Sequence, residues 1–271
     1  MSDPLERIAA ALERLAASPQ AEPDWHAAPA YVWDGQCSRP VATIAAPSLD
    51  QLKGIDRQKA QVADNVARFA RGAAAHDMLL WGARGMGKSA LIRSATIAAQ
   101  SDDPQAVALV QVGADALASL PALFSQLANA GRNMLVYLDD LGFDGDQSGP
   151  RRLRSWLEGG VEARPDNVRL AVTSNRRAIV DRHMREQDDP INPRDAVDDM
   201  LALADRFGLS VGFHAASQDD YLAIVSAYAD PLGLVWEPAD ALEWAKRRGA
   251  CSGRTAWQYV VELAGRAGKP L

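Results

Sequence analysis

The sequence predicts an α/β protein: a parallel sheet sandwiched between helices, followed by a small all-helical tail. Three observations predict it. From Leu49 onward, short apolar runs alternate with stretches of helical period, and repeated β-α-β order argues for a parallel sheet. A glycine-rich loop joins the first of these runs to the helix after it. Beyond Ser217 strand patterns cease and only helical periodicity continues.

Element by element, Leu5, Ile8, Leu12 and Leu15 fall at three- and four-residue spacing, so residues 4–16 read as a short amphipathic helix. Residues 18–48 are rich in Pro and Ala with isolated aromatics, among them Trp25, Tyr31 and Trp33. That composition predicts a linker with short extended pieces packed on the main domain. Helical period follows over 54–71, through Val62, Val66 and Phe69. The run 78–81 reads as a buried strand, and the next helix is expected to begin near Gly87. Further strands are expected at 107–112, 134–138, 168–172 and 209–213, with helices at 117–130 and 151–158. The polar, charged stretch 176–199 predicts a long mobile loop. Helices near 219–229, 239–248 and 255–267 close the chain. The expected organisation is an N-terminal extension (1–48), an α/β core (49–214) and a helical lid (215–271).

Composition narrows the function classes. The chain has 271 residues, 48% of them hydrophobic, enough for a large core and a satellite. Its uncharged apolar runs fall far short of the roughly 20 residues a membrane span needs. The N-terminus lacks the basic start and apolar stretch of a secretory signal, which points to a cytoplasmic protein without membrane contact. Cys37 and Cys251 lack partner motifs and read as reduced, buried thiols. His26, His76, His183 and His214 show no metal-site spacing. A net charge of −6 argues against a broad basic surface for nucleic acid.

The loop Gly82-Ala83-Arg84-Gly85-Met86-Gly87-Lys88-Ser89 fits G-x-x-x-x-G-K-[ST] without substitution. Glycines let successive backbone N–H groups turn inward into a concave anion site. The helix leading out adds the positive end of its dipole. Lys88 supplies a point charge for β- and γ-phosphates, and Ser89 a hydroxyl ligand for Mg²⁺. The expected ligand is therefore ATP with Mg²⁺.

Two further strand ends complete the chemistry. Met134-Leu135-Val136-Tyr137-Leu138-Asp139-Asp140 is an apolar strand ending in paired carboxylates. Asp139 is assigned to the metal and Asp140 to polarising the attacking water. Where many such proteins carry Glu, Asp140 is one methylene shorter. The strand at 168–172 leads into Thr173-Ser174-Asn175, whose amide suits contact with a γ-phosphate or its water.

These residues resemble a bacterial family of AAA+ ATP-binding proteins catalogued as a domain of unknown function. The resemblance is carried by Gly54-Ile55-Asp56-Arg57-Gln58-Lys59, by Trp81 with the loop that follows, and by Arg164-Pro165-Asp166-Asn167-Val168. Thr173-Ser174-Asn175-Arg176-Arg177, Asp205-Arg206-Phe207-Gly208-Leu209 and Ser252-Gly253-Arg254 continue it in order over roughly residues 49–268. It implies a parallel-sheet P-loop NTPase core of AAA+ type with a C-terminal helical lid. It further implies that Arg206 is an arginine finger reaching a neighbouring subunit, that Arg254 is a second sensor closing the lid, and that Ile55 lies near adenine. After the paired acids, Leu141-Gly142-Phe143-Asp144 departs from the family pattern and leaves Asp144 without an assigned role.

The expected function is an ATPase coupling Mg-ATP hydrolysis to conformational change in a homo-oligomer that acts on a protein client. Two alternatives stand beside it: a nucleotide-dependent adaptor with negligible turnover, and a helicase-loader-like nucleic-acid remodeller. The last would use the basic clusters Arg151, Arg152, Arg154 and Arg176, Arg177, Arg182, Arg185.

Overall fold

The apolar runs become strands, the central ones largely buried on both faces, and the computed structural model describes residues 23–141, 157, 164–175 and 205–271. Seven strands form one sheet: β1 (Ala30–Trp33), β2 (Ser38–Val41), β3 (Met78–Gly82), β4 (Val107–Val112), β5 (Asn133–Leu138), β6 (Val168–Ser174) and β7 (Leu209–Phe213). Their spatial order is β2-β1-β4-β5-β6-β3-β7. Every pairing is parallel except β1 with β2. β6 therefore lies between the strand entering the glycine loop and the strand ending in the paired acids.

Side-chain alternation divides the core. On β5, Met134, Val136 and Leu138 face one apolar layer, while Leu135 and Tyr137 face the other. The second layer is closed by α1 (Asp56–Ala70) and α2 (Lys88–Asp102). α1 turns Val62, Val66 and Phe69 inward at helical spacing. Its buried Asn65 binds both the amide and the carbonyl of His76, fixing the approach to β3. The first layer is covered by α3 (Leu120–Leu127), which follows a 3₁₀ segment, Ala114–Ser119. The sequence reading placed one helix over 117–130. The chain instead starts with the tighter winding, and Pro121 falls in the first turn of α3, where its missing N–H costs nothing.

The segment read as a linker is more ordered than that reading implied. β1 and β2 form a hairpin that widens the sheet beside β4. Trp33 and Tyr31 are each 1% exposed. Arg132, 5% exposed, anchors this hairpin's approach. Its guanidinium donates to the carbonyls of Trp25 and Ala28 at 3.0 and 2.9 Å, and to those of Pro104 and Val107. At the outer edge β2 carries Arg39 and Pro40. At the opposite edge the Gln58 amide donates to the Gly212 carbonyl of β7 at 3.0 Å.

Three helices end the chain: α4 (Gln218–Ala229), α5 (Pro238–Arg248) and α6 (Gly253–Arg266). Ser217 caps α4 in a reciprocal pair with Asp220, and Ser252 caps α6 through the Thr255 amide. α5 stops at Gly249, whose φ of 74° only glycine adopts cheaply. Tyr221, Val225, Ala241, Ala245 and Ala256 form a core of their own. The tail tryptophans do not all join it. Trp236 and Trp244 pack against that core, but Trp257 is 42% exposed and meets Tyr228 edge-on. Both cysteines are half-buried rather than buried. Among the described residues no helix is long and apolar enough to cross a membrane. The expected helices at 4–16 and 151–158, the loop 176–199, Asp144, and the arginines at 151, 152, 154, 176, 177, 182 and 185 lie outside the described residues, apart from Leu157, which packs on the first layer.

Candidate functional site

The glycine loop owes its path to three positive backbone angles. Gly82 has φ 117°, and a Cβ there would stand 2.1 Å from the Phe213 carbonyl oxygen. That same carbonyl accepts the Ala83 amide at 2.8 Å, so β7 holds the loop's first turn. Gly82→Ala is accordingly expected to destabilise the fold by about 3 kcal/mol or more. Denaturant unfolding checks this; a midpoint equal to wild type would contradict the close approach. Gly85 (φ 75°) faces the lid, where its Cβ would lie 2.9 Å from Ser252 Oγ. Gly87 (φ 85°) is the N-cap of α2 and sits over the side chains of Leu52 and Ile55. Ile55 and Met86 are buried beneath the loop, and Arg84 is exposed on its outside.

Lys88 opens α2 and is 5% exposed. Its Nζ donates to the carbonyls of Gly82 and Ala83 at 2.9 and 2.8 Å and to Asn175 Oδ1 at 3.0 Å. Burial pushes the ammonium down to about 8, against the pull of Asp140 and Asp139; Arg84 and Arg254 add repulsion. Lys88 and its glycine loop thus concentrate positive potential at one point.

The paired acids join this point through hydroxyls. Ser89 Oγ donates to Asp139 Oδ1 at 2.7 Å, and Thr173 Oγ1 donates to the same oxygen at 2.8 Å. Thr173 Oγ1 in turn accepts the Asp140 amide at 2.8 Å. Burial works against the Asp139 charge, but the neighbouring hydroxyls of Tyr137, Ser89 and Thr173 and the charge of Arg93 outweigh it and hold the carboxyl below its usual range. Asp140 has φ 49°, the one positive value at a described non-glycine residue, and its carboxylate accepts the Asn175 amide. One side chain, Asn175, therefore touches both Lys88 and Asp140.

The lid meets the loop directly. The Arg254 amide donates to the Gly85 carbonyl at 3.3 Å, so the first turn of α6 rests on the loop's second glycine. The structure thus brings together Gly82, Ala83, Arg84, Gly85, Met86, Gly87, Lys88, Ser89, Ile55, Asp139, Asp140, Asn175 and Arg254. It does not bring Arg206 to them. Register pairs Leu209 with Met78 and Phe213 with Gly82, so Arg206 precedes β7 at the sheet's far end. Strand rise alone separates those ends by roughly 13 Å. Thr173, Ser252 and Tyr137 belong to the site but were missed as site residues; only their closeness to assigned residues in sequence could have signalled them.

Hard oxygens from Ser89 and Asp139 side by side, next to a glycine cradle that a Cβ would fill, suit Mg²⁺ and a phosphate chain. Among the described residues no His, Cys, Asp and Glu cluster offers an alternative metal site. The motif residues Arg164 and Asn167 serve structure instead. Arg164 pairs with Asp77 at 2.6 Å, and the Asn167 amide ties the carbonyls of Leu127 and Arg132.

Comparison with solved structures shows a shared fold. The fold is similar to that of Thermotoga maritima RuvB, a Holliday junction branch migration motor, with TM-score 0.55, 16% identity, 82% of this chain covered and 66% of that one. It is also similar to the Aeropyrum pernix ORC1 protein in its complex with DNA, with TM-score 0.57, 17% identity, 81% of this chain covered and 65% of that one. The chain thus spans just under two thirds of the length of these relatives. No curated protein matches it significantly in sequence. The architecture is that of the AAA+ P-loop NTPases: a seven-stranded, mostly parallel sheet between helices. A family model matches residues 26–267, and the chain belongs to that family, described as "Protein of unknown function (DUF815)".

Proposed function

We propose that the protein binds Mg-ATP at the glycine loop and hydrolyses it, using the cycle to change its own conformation and that of a protein client. The observation that carries this reading is Asn175, whose amide lies between the Lys88 ammonium and the Asp140 carboxylate. A cation for phosphate and a base for water are thereby held by one side chain at one strand end. Lys88 and the loop amides hold the phosphates, and Ser89 and Asp139 hold Mg²⁺. Mg²⁺ held by Ser89 and Asp139 would supply positive charge against the negative charge that develops on the phosphate. Asp140 accepts the proton of the attacking water, and Asn175 orients that water. Ile55 packs near the adenine, and Arg254 carries the lid's response through Gly85. Arg206, distant from its own loop, fits a role toward a second copy in a homo-oligomer.

The test is Asp140→Asn. Phosphate release is expected to fall about 100-fold or more, as for loss of a general base. Mg-ATP affinity should stay within about threefold of wild type, since the bonds to phosphate and metal remain. Turnover at the wild-type rate would remove the base assignment.

One observation favours a second reading, a nucleotide-dependent switch with negligible turnover. Asp140 sits at φ 49° with its carboxylate engaged by Asn175, an arrangement that turns the base toward that amide. Measurable phosphate release above the Lys88→Ala blank separates the two readings.

A further inference from the structure

Tyr137 is out of place in its layer. Period-two alternation along β5 puts it on the same side as Leu135 and, one step further, Asp139. The layer around it is Met78, Leu80, Leu109, Val107 and Ala171, where an aliphatic or phenylalanine side chain would pack without cost. Tyr137 is 1% exposed, and its hydroxyl is buried beside Asp139 and Ser89, close enough to bear on the carboxylate's charge but without a fully formed hydrogen bond. A buried hydroxyl left unsatisfied costs about 1–3 kcal/mol. Packing gives no return for it, because the phenyl ring alone fills the space.

What surrounds the hydroxyl gives it a purpose. Burial pushes the phenol up, and its neighbours are the Asp139 carboxylate, the Ser89 hydroxyl and the Arg93 guanidinium. Arg93 is tied to α2 through the Ser89 carbonyl, one turn away. Ser89 and Thr173 both donate to Asp139 Oδ1. A phenol beneath the same carboxylate is a third donor to the group assigned to the metal. Carboxylates that hold metals are oriented by such outer hydrogen bonds.

We propose that Tyr137 is a positioning residue of the magnesium site, its hydroxyl donating to the Asp139 carboxylate when metal is bound and fixing which way that carboxylate faces. The inference rests on the Mg-ATP reading of the loop and adds a residue to it. It explains why a tyrosine stands where the core asks only for an apolar ring: the hydroxyl is a burden on the fold and an asset to the metal.

The experiment compares Tyr137→Phe with wild type by calorimetric titration of a non-hydrolysable ATP analogue, with Mg²⁺ and with EDTA. The readout is the metal-dependent gain, the ratio of the two affinities. That gain is expected to fall about tenfold in the variant, with affinity in EDTA unchanged and the thermal midpoint in EDTA no lower than wild type. A merely structural tyrosine would shift the midpoint or both affinities together and leave the ratio alone. Tyr137→Met, which keeps an apolar side chain, is expected to show the same loss of gain. A ratio within twofold of wild type overturns the proposal, and so does failure of both variants to fold, which would make the hydroxyl structural. If wild type itself shows no metal-dependent gain, the Mg-ATP reading falls and takes the proposal with it. A wild-type gain retained in full by Tyr137→Phe removes the Tyr137 assignment alone.

Discussion

Lys88→Ala is expected to lower Mg-ATP affinity about 100-fold or more, roughly 2.7 kcal/mol, the scale of hydrogen bonds to a charged donor lost together. The reason is the convergence at Nζ, where two loop carbonyls and Asn175 Oδ1 lie within 3.0 Å. That geometry keeps the ammonium over the concave face of the loop instead of letting it stray into solvent. The fold should tolerate the change better than the ligand does. Burial works against the Lys88 charge, so its removal relieves a desolvation cost while three hydrogen bonds are lost. Titration with ATP analogue and a thermal scan on the same sample check both halves. Normal affinity in the variant would remove the loop from the functional reading altogether.

Arg132→Ala is expected to have the larger effect on stability, about 3 kcal/mol or more. Four carbonyls from Trp25, Ala28, Pro104 and Val107 share one guanidinium, which burial disfavours and lowers in pKa. Removing it leaves those acceptors short of a donor and opens a cavity beside Trp25 and Tyr31. Lysine is a poor replacement, because a point ammonium cannot spread planar donors over four carbonyls. Urea unfolding should show a lower midpoint for Arg132→Ala, with Arg132→Lys between it and wild type. Limited proteolysis should cut first within residues 23–41. An unchanged midpoint would show that the hairpin is held by its strand pairing alone.

How far the sequence was legible depended on whether a feature is contiguous. The boundaries of β4 and β7 could be read directly because apolar runs begin and end there abruptly. The glycine loop and the paired acids are likewise contiguous, and their residue types state their chemistry. The hairpin β1–β2 was read only as extended pieces, because four-residue strands carrying Ser38, Arg39 and Pro40 lack a clear alternating pattern. α3 was read too long because 3₁₀ and α windings share apolar spacing over a single turn. Thr173 and Tyr137 gain their meaning from cross-strand register and from α2 packing over β5, which no local pattern encodes. The contact of Ser252 with Gly85 is likewise a matter of tertiary approach between segments far apart in the chain.

The two rims of the sheet govern how copies of this chain can meet. Open sheets tend to recruit further strands, since a rim offers a row of unpaired amides and carbonyls. Here Pro40 lies on the outermost strand of one rim, where proline is accommodated with its missing N–H turned away from the partner strand. On the other rim the Gln58 amide already occupies the Gly212 carbonyl. Each rim of the described sheet therefore carries a feature that works against strand addition. Association between copies, if the proposed homo-oligomer forms, would fall to side-chain surfaces, whose contacts respond to salt and to single substitutions and can be made and broken reversibly, whereas a backbone ladder between molecules would lock.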